Sequence, residues 1–289
     1  MALDPKTLNK PFMQLRKTLK KFPRKPTPDD VHDVRTRTRK VEAILKAVQM
    51  DRKEKGKRVL DTVTPVRKRA GKVRDMDVLI AFASGLKSDR DHNCFVQLLE
   101  HLGNERYRNA RKLHKTAAAH RAAASRYLQR CSQTVQRKID RDGDLDPSAA
   151  DAASGALQLS GQLQKWPKLN RRNLHPFRLK VKELRYFLQL SGQEDELVKA
   201  LGEVKDAVGE WHDWVELETI ANDLLQDHPA CDVRKQIHTG ALQRFGKALA
   251  LANLLRKKYF GDTIKDRSSR AKPKTTKIHV MRATSDLAA

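Results

Sequence analysis

Cysteines and long apolar stretches are both scarce in this sequence. Three cysteines occur among 289 residues, at Cys94, Cys131 and Cys231, and none forms a CxxC pair. This spacing argues against structural zinc and a disulfide framework, and it favours a reducing compartment. The longest apolar run, Val78–Ala83, is far shorter than the roughly 20 residues that cross a bilayer. Because the N-terminus also lacks the apolar region of a secretory signal, we expect a cytoplasmic protein with no membrane association.

Aromatic and acidic residues are also few. Aromatics make up 5% of the chain, and 60 Lys and Arg face 35 Asp and Glu, a net charge of +25. Residues 1–142 carry 36 basic and 16 acidic groups, residues 143–261 carry 17 and 16, and residues 262–289 carry 7 and 3. Such an excess implies a polyanionic partner, because like charges on a compact body repel unless counter-charges screen them. The low aromatic content argues against base stacking as the main means of recognition.

Apolar residues recur at three- and four-residue steps along almost the whole chain, which is typical of amphipathic helices. No strand pattern is evident between residues 1 and 262, so we predict an all-α fold. Pro65 should kink or divide the third helix. The spacing predicts helices at about 8–22, from about 28, and at about 57–82, 90–141, 148–166, 174–192, 195–226 and 230–260.

The best linker is the segment RDGDLDP at residues 141–147, where the charge balance changes. We therefore predict a first helical bundle at 1–142 and a second at 147–261. The Lys-, Arg-, Ser- and Thr-rich residues 262–289 should form a flexible basic tail.

The two halves resemble copies of each other. HDVRTRTR at 32–39 is similar to HPFRLKVK at 175–182, at an offset of 143. Downstream, residues 67–78 align with 205–216 at an offset of 138, which superposes a GxxxD motif in each half. Each half therefore contains a first helix, an HxxRx[RK]x[RK] helix, a GxxxD helix and a long helix. This order predicts two four-helix bundles related by a pseudo-twofold axis.

The repeated motifs place cations in stripes on single helix faces. At about 100° per residue, three positions of each HxxR motif fall within about 60°. A solvated face needs no fixed spacing, whereas these cations return at the same steps in both halves. Small residues between the stripes (Ala70, Gly71 and Gly209) should let neighbouring backbones approach. Asp75 and Asp213 should orient Arg or His side chains by accepting hydrogen bonds.

These motifs are similar to those of the CHAD family, named for a conserved-histidine α-helical domain. The resemblance rests on VHDVRTRTRKVEAIL with RKRAGKVRDMDVLI and on LHPFRLKVKELRYFLQL with VKDAVGEWHDWVELE, and it covers about residues 8–260. It implies two pseudosymmetric bundles that bind inorganic polyphosphate in a basic groove or pore where they meet, here as a stand-alone domain. The implied binding residues are His32, Arg35, Arg39, Arg67, Arg74, His175, Arg178, Lys182, Arg185, Lys205 and His212.

A second basic field lies on the helix from Asn104 to Lys138, which holds ten Lys and Arg and one acid, Glu105. Its counterpart in the second half, at about 233–258, is less basic. This asymmetry predicts that one half holds the anion more strongly than the other. We add to the predicted polyphosphate-binding set Arg108, Arg111 and Lys115 from the first half, and Arg244 and Lys247 from the second.

Two other classes of function remain open. A helical protein that binds nucleic acid without reading its sequence would use the same phosphate contacts. A metal-dependent phosphohydrolase is suggested by the His-Asp pairs at 32–33 and 212–213. The internal repeat argues against the hydrolase, because Pro176 replaces Asp33 and Arg74 replaces His212, and neither replacement is a metal ligand.

Some CHAD relatives are fused to a triphosphate hydrolase domain with an ExExK strand motif, which this chain lacks. We therefore predict no catalytic residues, no metal and no cofactor. Polyphosphate is the predicted partner, with weak binding to nucleic acid, no membrane association and association with polymer granules.

Overall fold

Helices account for nearly all of the described chain. The computed structural model describes residues 5–47, 50–87, 92–142, 149–190 and 196–261, which form eight α-helices and no strand. The all-α prediction is confirmed. The helices are α1 (Pro5–Lys20), α2 (Pro28–Ala47), α3 (Glu54–Ser84), α4 (His92–Asp142), α5 (Ala149–Gln164), α6 (Leu174–Leu190), α7 (Glu196–Leu224) and α8 (Asp232–Leu255), and a π-helical turn (Arg256–Phe260) continues α8.

The two helices that carry the HxxR motifs begin with matching caps. At the start of α2, the Thr27 amide donates to Asp30 and the Asp30 amide donates to the Thr27 hydroxyl. At the start of α6, Asn170 and Asn173 make the same reciprocal pair of hydrogen bonds. Such caps satisfy amides that the first helical turn leaves unpaired. Since the two caps are 143 residues apart, they fix both HxxR motifs in the same register.

Each half folds around its own apolar core. The packing is in step with the repeat, because Val31, Val34 and Val41 of α2 and their counterparts on α6 are all buried. In the second bundle, α6 lies between α5 and α7, and the π-helical turn packs on α5. In the first bundle, α1 packs on α2 and α4, and α3 packs on the same two helices. Hence α2 and α4 lie diagonally opposite each other.

A third apolar core joins the two bundles. It is formed by the end of α3 and the start of α4, packed against the end of α7 and the start of α8. Leu98 of the first bundle and Leu217 of the second are fully buried in it, and Phe82 stacks on Trp214 with ring centroids 5.4 Å apart. The helices α3 and α7 also contact each other directly. This shared core holds the basic stripes of the two bundles at a fixed separation.

The predicted helix break at Pro65 does not occur. The helix α3 runs unbroken through this residue, because Val63 and Val66 on either side are fully buried and hold the turn in place. Proline therefore does not divide it. The predicted linker residues 143–147 and the predicted tail 262–289 lie outside the described residues. Within the described part, none of the helices combines the length and the apolar character needed to cross a membrane.

Gly240 provides a test of the shared core. A Cβ atom at this position of α8 would overlap the indole ring of Trp214, which is buried in that core. We expect Gly240→Ala to lower the free energy of unfolding by about 1–3 kcal/mol, because overpacking displaces rigid neighbours. The matched change Gly246→Ala on the same helix meets no atom within 4 Å. It should stabilise by up to about 1 kcal/mol through helix propensity. Urea denaturation measures both, and equal midpoints would contradict the packing.

Candidate functional site

Four helices bring most of the predicted cations together at the junction of the two bundles. We call this group the between-bundle cluster. Its members interact electrostatically within and across the junction, and Arg185 lines a cavity with three of them, so residues far apart in sequence form one site. The cluster comprises Arg35 and Arg39 of α2, Arg67, Arg74 and Asp75 of α3, His175, Arg178, Lys182 and Arg185 of α6, and Lys205, His212 and Asp213 of α7.

Positive charges of the two bundles repel each other in this cluster. Burial lowers the pKa of Lys182, and Arg39 and Arg178 lower it further. Burial also lowers the pKa of Arg39, with contributions from Arg67 of its own bundle and Arg178 of the other. These shifts have the sign expected where cations face one another without enough counter-charge. The cluster therefore favours a ligand that brings negative charge.

Two histidines lie side by side in the second half of the cluster. The ring centroids of His175 and His212 are 4.4 Å apart. Burial lowers the pKa of His175, and so do the neighbouring charges of His212 and Arg178. The Nδ1 atom of His175 is buried and has no hydrogen-bond partner among the described residues. This histidine is thus harder to protonate than a free imidazole in the protein without a ligand.

The two GxxxD aspartates lie on either side of the junction. Burial raises the pKa of Asp75, against the opposing effect of Arg35 and Arg74. Burial likewise raises the pKa of Asp213, against the effect of Arg178 and His212. Both carboxylates therefore lie among the cations that they were predicted to orient, and their interaction with them is electrostatic.

Two open cavities flank the cluster and differ in charge. One, of about 500 Å³, is lined by Arg39 of α2 and by Lys182, Arg185 and Lys205 of the second bundle, with Glu183 as its one acid. The other, of about 360 Å³, has two cations against three carboxylates; its charged lining residues are Arg74, Arg178, Asp206, Glu210 and Asp213. The first cavity is the more electropositive, and we call it the cationic cavity.

The two halves of the cluster are not equal. Arg67 donates to Glu42 at 2.8 Å in the first bundle, so part of its charge is neutralised. The repeat places Arg185 at the position of Glu42, which replaces an acid with a cation in the second bundle. The Nε atom of Arg185 is buried and unpartnered among the described residues. The motifs predicted a role for Arg185 but not for Glu42, although the offset of 143 relates the two positions.

Gly209 makes room for a side chain rather than for a neighbouring backbone. A Cβ atom there would lie 2.7 Å from Nη2 of Arg178. The guanidinium group is held in this position because its Nε donates to the carbonyl of Lys205 at 2.9 Å. At the counterpart Gly71, an added Cβ would meet no atom within 4 Å, and Ala70 is buried in the first core. The expected close approach of backbones is therefore wrong for both glycines.

Six predicted residues are placed outside the cluster by their contacts or their helix. His32 is exposed and lies near Thr36 of its own helix, unlike its counterpart His175. Arg244 stacks on Trp214 and donates to Glu210. Lys247 is exposed on α8. The remaining three, Arg108, Arg111 and Lys115, are exposed on α4.

One group in the cluster has the composition of a metal site. Ligand atoms of His212, Asp213 and Glu216 all lie within 4.8 Å of one another. The predicted His-Asp pair did not include Glu216, which follows one turn later on the same face of α7. Because Arg178 lies beside Asp213, the trio also has a cation as a neighbour.

Comparison with known proteins agrees with this architecture. The model of the CHAD domain family matches residues 8–222. A crystal structure of the CHAD domain from the plant Ricinus communis is similar to the chain with a TM-score of 0.61 and 18% sequence identity, covering 89% of this chain and 93% of that chain. A search of curated proteins gave no match. The family match spans all of the helices that build the cluster, and the structural likeness extends over both bundles. This chain belongs to the CHAD family.

Proposed function

We propose that this protein binds inorganic polyphosphate without catalysis, in the between-bundle cluster. The observation that carries the proposal is the meeting of cations from both bundles, with Arg39, Lys182, Arg185 and Lys205 lining one cavity. Arginine forks pair with phosphate oxygens in bidentate fashion, and lysine adds point charge. A cytoplasmic location and association with polymer granules belong to the same proposal.

The charge pattern favours phosphate over a metal-assisted reaction. A divalent ion at His212, Asp213 and Glu216 would lie beside the guanidinium of Arg178, and like charges at short range disfavour its binding. The first bundle has Arg74 at the position of His212, so the repeat supplies a cation there and not a ligand. We therefore propose a binding site and no hydrolytic one.

Nucleic acid is the second candidate ligand, because its backbone carries the same phosphate groups. Binding to a duplex or to single strands usually adds groove contacts or aromatic stacking. The described lining of the cationic cavity contains one aromatic side chain, Tyr186, and no further stacking platform. A polymer of phosphates alone needs neither kind of contact. The proposal includes weak binding of nucleic acid, driven by the net positive charge of the protein.

A competition experiment tests the proposed ligand. Long-chain polyphosphate and duplex DNA compete for the protein at the same physiological salt concentration, and fluorescence anisotropy measures how much of each ligand is bound. We expect polyphosphate to bind more tightly and its affinity to fall steeply with salt, because phosphate contacts release counterions. DNA affinity equal to or above that of polyphosphate would overturn the assignment in favour of nucleic acid.

Substitution of two cavity cations tests the site. Arg39→Gln with Lys182→Gln should weaken polyphosphate binding by at least about tenfold, since two charged hydrogen bonds to phosphate are lost and each is stronger than a neutral one. The pair lies on both bundles, and both side chains are exposed at the cavity. The control, Lys272→Gln with Lys274→Gln, removes the same charge from the C-terminal segment and should cost less than about threefold. An equal loss of polyphosphate affinity in both double variants would show that binding depends on the net charge of the protein and not on the cavity.

The two GxxxD glycines offer a matched test of Arg178. Gly209→Ala should push the Arg178 guanidinium aside and weaken binding several-fold, while the fold tolerates the change because a flexible side chain yields. Gly71→Ala occupies the equivalent position and touches no neighbour, so its binding should equal that of the parent. Calorimetric titration with polyphosphate, with thermal unfolding as a check, measures both effects. Equal polyphosphate affinities for the two variants would show that Arg178 does not contribute to binding.

The position of His175 should make binding depend on pH. In the protein without a ligand, burial, His212 and Arg178 hold the pKa of His175 below its ordinary value of 6.5. Phosphate brings negative charge beside the ring and raises this pKa, so binding takes up a proton. The affinity should therefore be highest below the pKa of the unliganded protein. It should fall as the pH rises through the higher pKa of the complex.

Histidine variants separate this effect from general electrostatics. His175→Gln should flatten the slope of affinity against pH between about pH 5 and 8, the range in which histidines titrate. His228→Gln changes an exposed histidine after α7 and should leave the slope unchanged. Anisotropy titrations at several pH values measure both variants, and the same slope in both would contradict the role of His175.

A further inference from the structure

The first bundle carries a second basic surface, distinct from the between-bundle cluster. We call it the α1–α4 face. It is continuous, because α1 packs on α4 and Arg16 of α1 donates to Ser125 of α4 at 2.8 Å. The face is defined by the exposed cations Lys10, Arg16, Lys17, Lys20, Arg108, Arg111, Lys112, Lys115, Arg126, Arg130 and Arg137.

Helix geometry directs this face away from the cluster. At about 100° per residue, the α4 cations Arg108, Lys115 and Arg126 lie within about 20° of one another. They are opposite to Leu113 and Leu128, which are fully buried in the first core. Since α4 lies diagonally across the bundle from α2, the stripe is on the far side from Arg35 and Arg39.

Very little negative charge accompanies these cations. Neither α1 nor the stretch 106–137 of α4 contains an Asp or Glu. Glu105 at the edge of the face pairs with Arg108 at 2.6 Å. Like charges three and four residues apart on a helix repel each other. The α1–α4 face is therefore electrostatically unfavourable in the protein without a ligand.

The fold itself does not require this charge. In the second bundle, α5 packs on the π-helical turn that continues α8, and α5 contains no Lys or Arg. The helix α8 and this turn carry seven cations, and five of them already have partners. Arg234 donates to Asn222, Lys235 pairs with Asp232, Arg244 donates to Glu210, Arg256 donates to the carbonyls of Trp166 and Pro167, and Lys258 pairs with Glu196. The same architecture thus exists in this chain with and without the basic face. The positive charge of the α1–α4 face is electrostatically unfavourable, and the fold does not need it. We therefore infer that this charge serves to bind a negatively charged ligand.

We propose that the α1–α4 face binds a second stretch of polyphosphate, independently of the between-bundle cluster; this rests on the proposed function. The stripe from Arg108 to Arg137 follows one helix and is roughly 44 Å long at 1.5 Å per residue. A flexible phosphate chain can follow it over this length. A duplex presents its phosphates along two strands that wind around its axis on either side of a groove about 12 Å wide, so they do not follow one line of cations over this length. Tyr107 is an exposed aromatic residue of the stripe, and Cζ of Arg111 lies 5.8 Å from its ring centroid.

Two sites on opposite sides of one bundle give the protein two binding events. A short polyphosphate chain fills one site at a time, so two short chains should bind per protein. A long chain can reach both sites, or two proteins, and gains avidity because the second contact is intramolecular. The expected signatures are a stoichiometry of two for short chains and an affinity that rises with chain length.

The test compares three variants of the full chain by native mass spectrometry and calorimetry with short-chain polyphosphate. The face variant combines Arg108→Gln, Lys115→Gln, Arg126→Gln and Arg130→Gln. The cluster variant is Arg39→Gln with Lys182→Gln. The control removes four exposed charges from the second bundle, through Lys165→Gln, Lys168→Gln, Lys235→Gln and Lys257→Gln.

We expect two short chains on the parent and on the control, and one chain on the face variant and on the cluster variant. Affinity for the lost chain should fall by at least about tenfold. The face variant should unfold at the same or a higher temperature than the parent, because the substitutions remove repulsion. That result excludes misfolding as the cause of lost binding.

Each other outcome identifies what has failed. One chain on the parent, or two on the face variant, overturns the second site and leaves the proposed function standing. If the cluster variant binds two chains and the face variant binds one, the between-bundle cluster is not a binding site, and the proposed function is overturned instead. A single-stranded oligonucleotide of equal charge and equal concentration is added as a competitor. If it displaces the polyphosphate bound at the α1–α4 face, that face binds nucleic acid, and this result also overturns the inference.

Discussion

Repulsion between cations of the two bundles is the constraint on which the site depends. Arg39 of the first bundle and Arg178 and Lys182 of the second face one another. Burial lowers the pKa of both Arg39 and Lys182, and the cations across the junction lower it further. The shared apolar core opposes the repulsion, because Leu98 and Leu217 are buried only while the bundles remain together. An anion in the cluster relieves the repulsion without changing the core. Under the proposed function, ligand binding and stability of the folded state are therefore coupled.

The local structure follows from sequence patterns that act over one or two helical turns. The helix α2 begins at the predicted position, at about residue 28, because Thr27 and Asp30 form its cap. Apolar spacing predicts which faces of α2 and α6 are buried, and the offset of 143 relates the two faces. Since each pattern is local and occurs twice, the sequence alone predicts the eight helices, the repeat and the stripes of cations.

The remaining features depend on contacts between segments far apart in sequence. Nothing in the periodicity of α3 or α7 indicates that their ends share a core with α4 and α8, because the apolar spacing continues unchanged there. The role of Gly209 depends on the position of the Arg178 side chain, which reaches over from another helix. Charge counting identifies the basic residues of α4, but it does not show which way a helix face points. Their separation from the cluster follows only from the packing of α4 against α1 and α3.

Departures from the repeat matter more for recognition than the repeat itself. A chain of identical phosphates has no sequence, so a site with perfect twofold symmetry would hold it equally on both bundles. Here Arg185 replaces Glu42, the acid that pairs with Arg67, so this exchange makes the second bundle's side of the cluster more positive. The exchange of Arg74 for His212 confines the histidine pair to the same side. In the proposed site, the second bundle therefore contributes both the additional cation, Arg185, and the histidine pair.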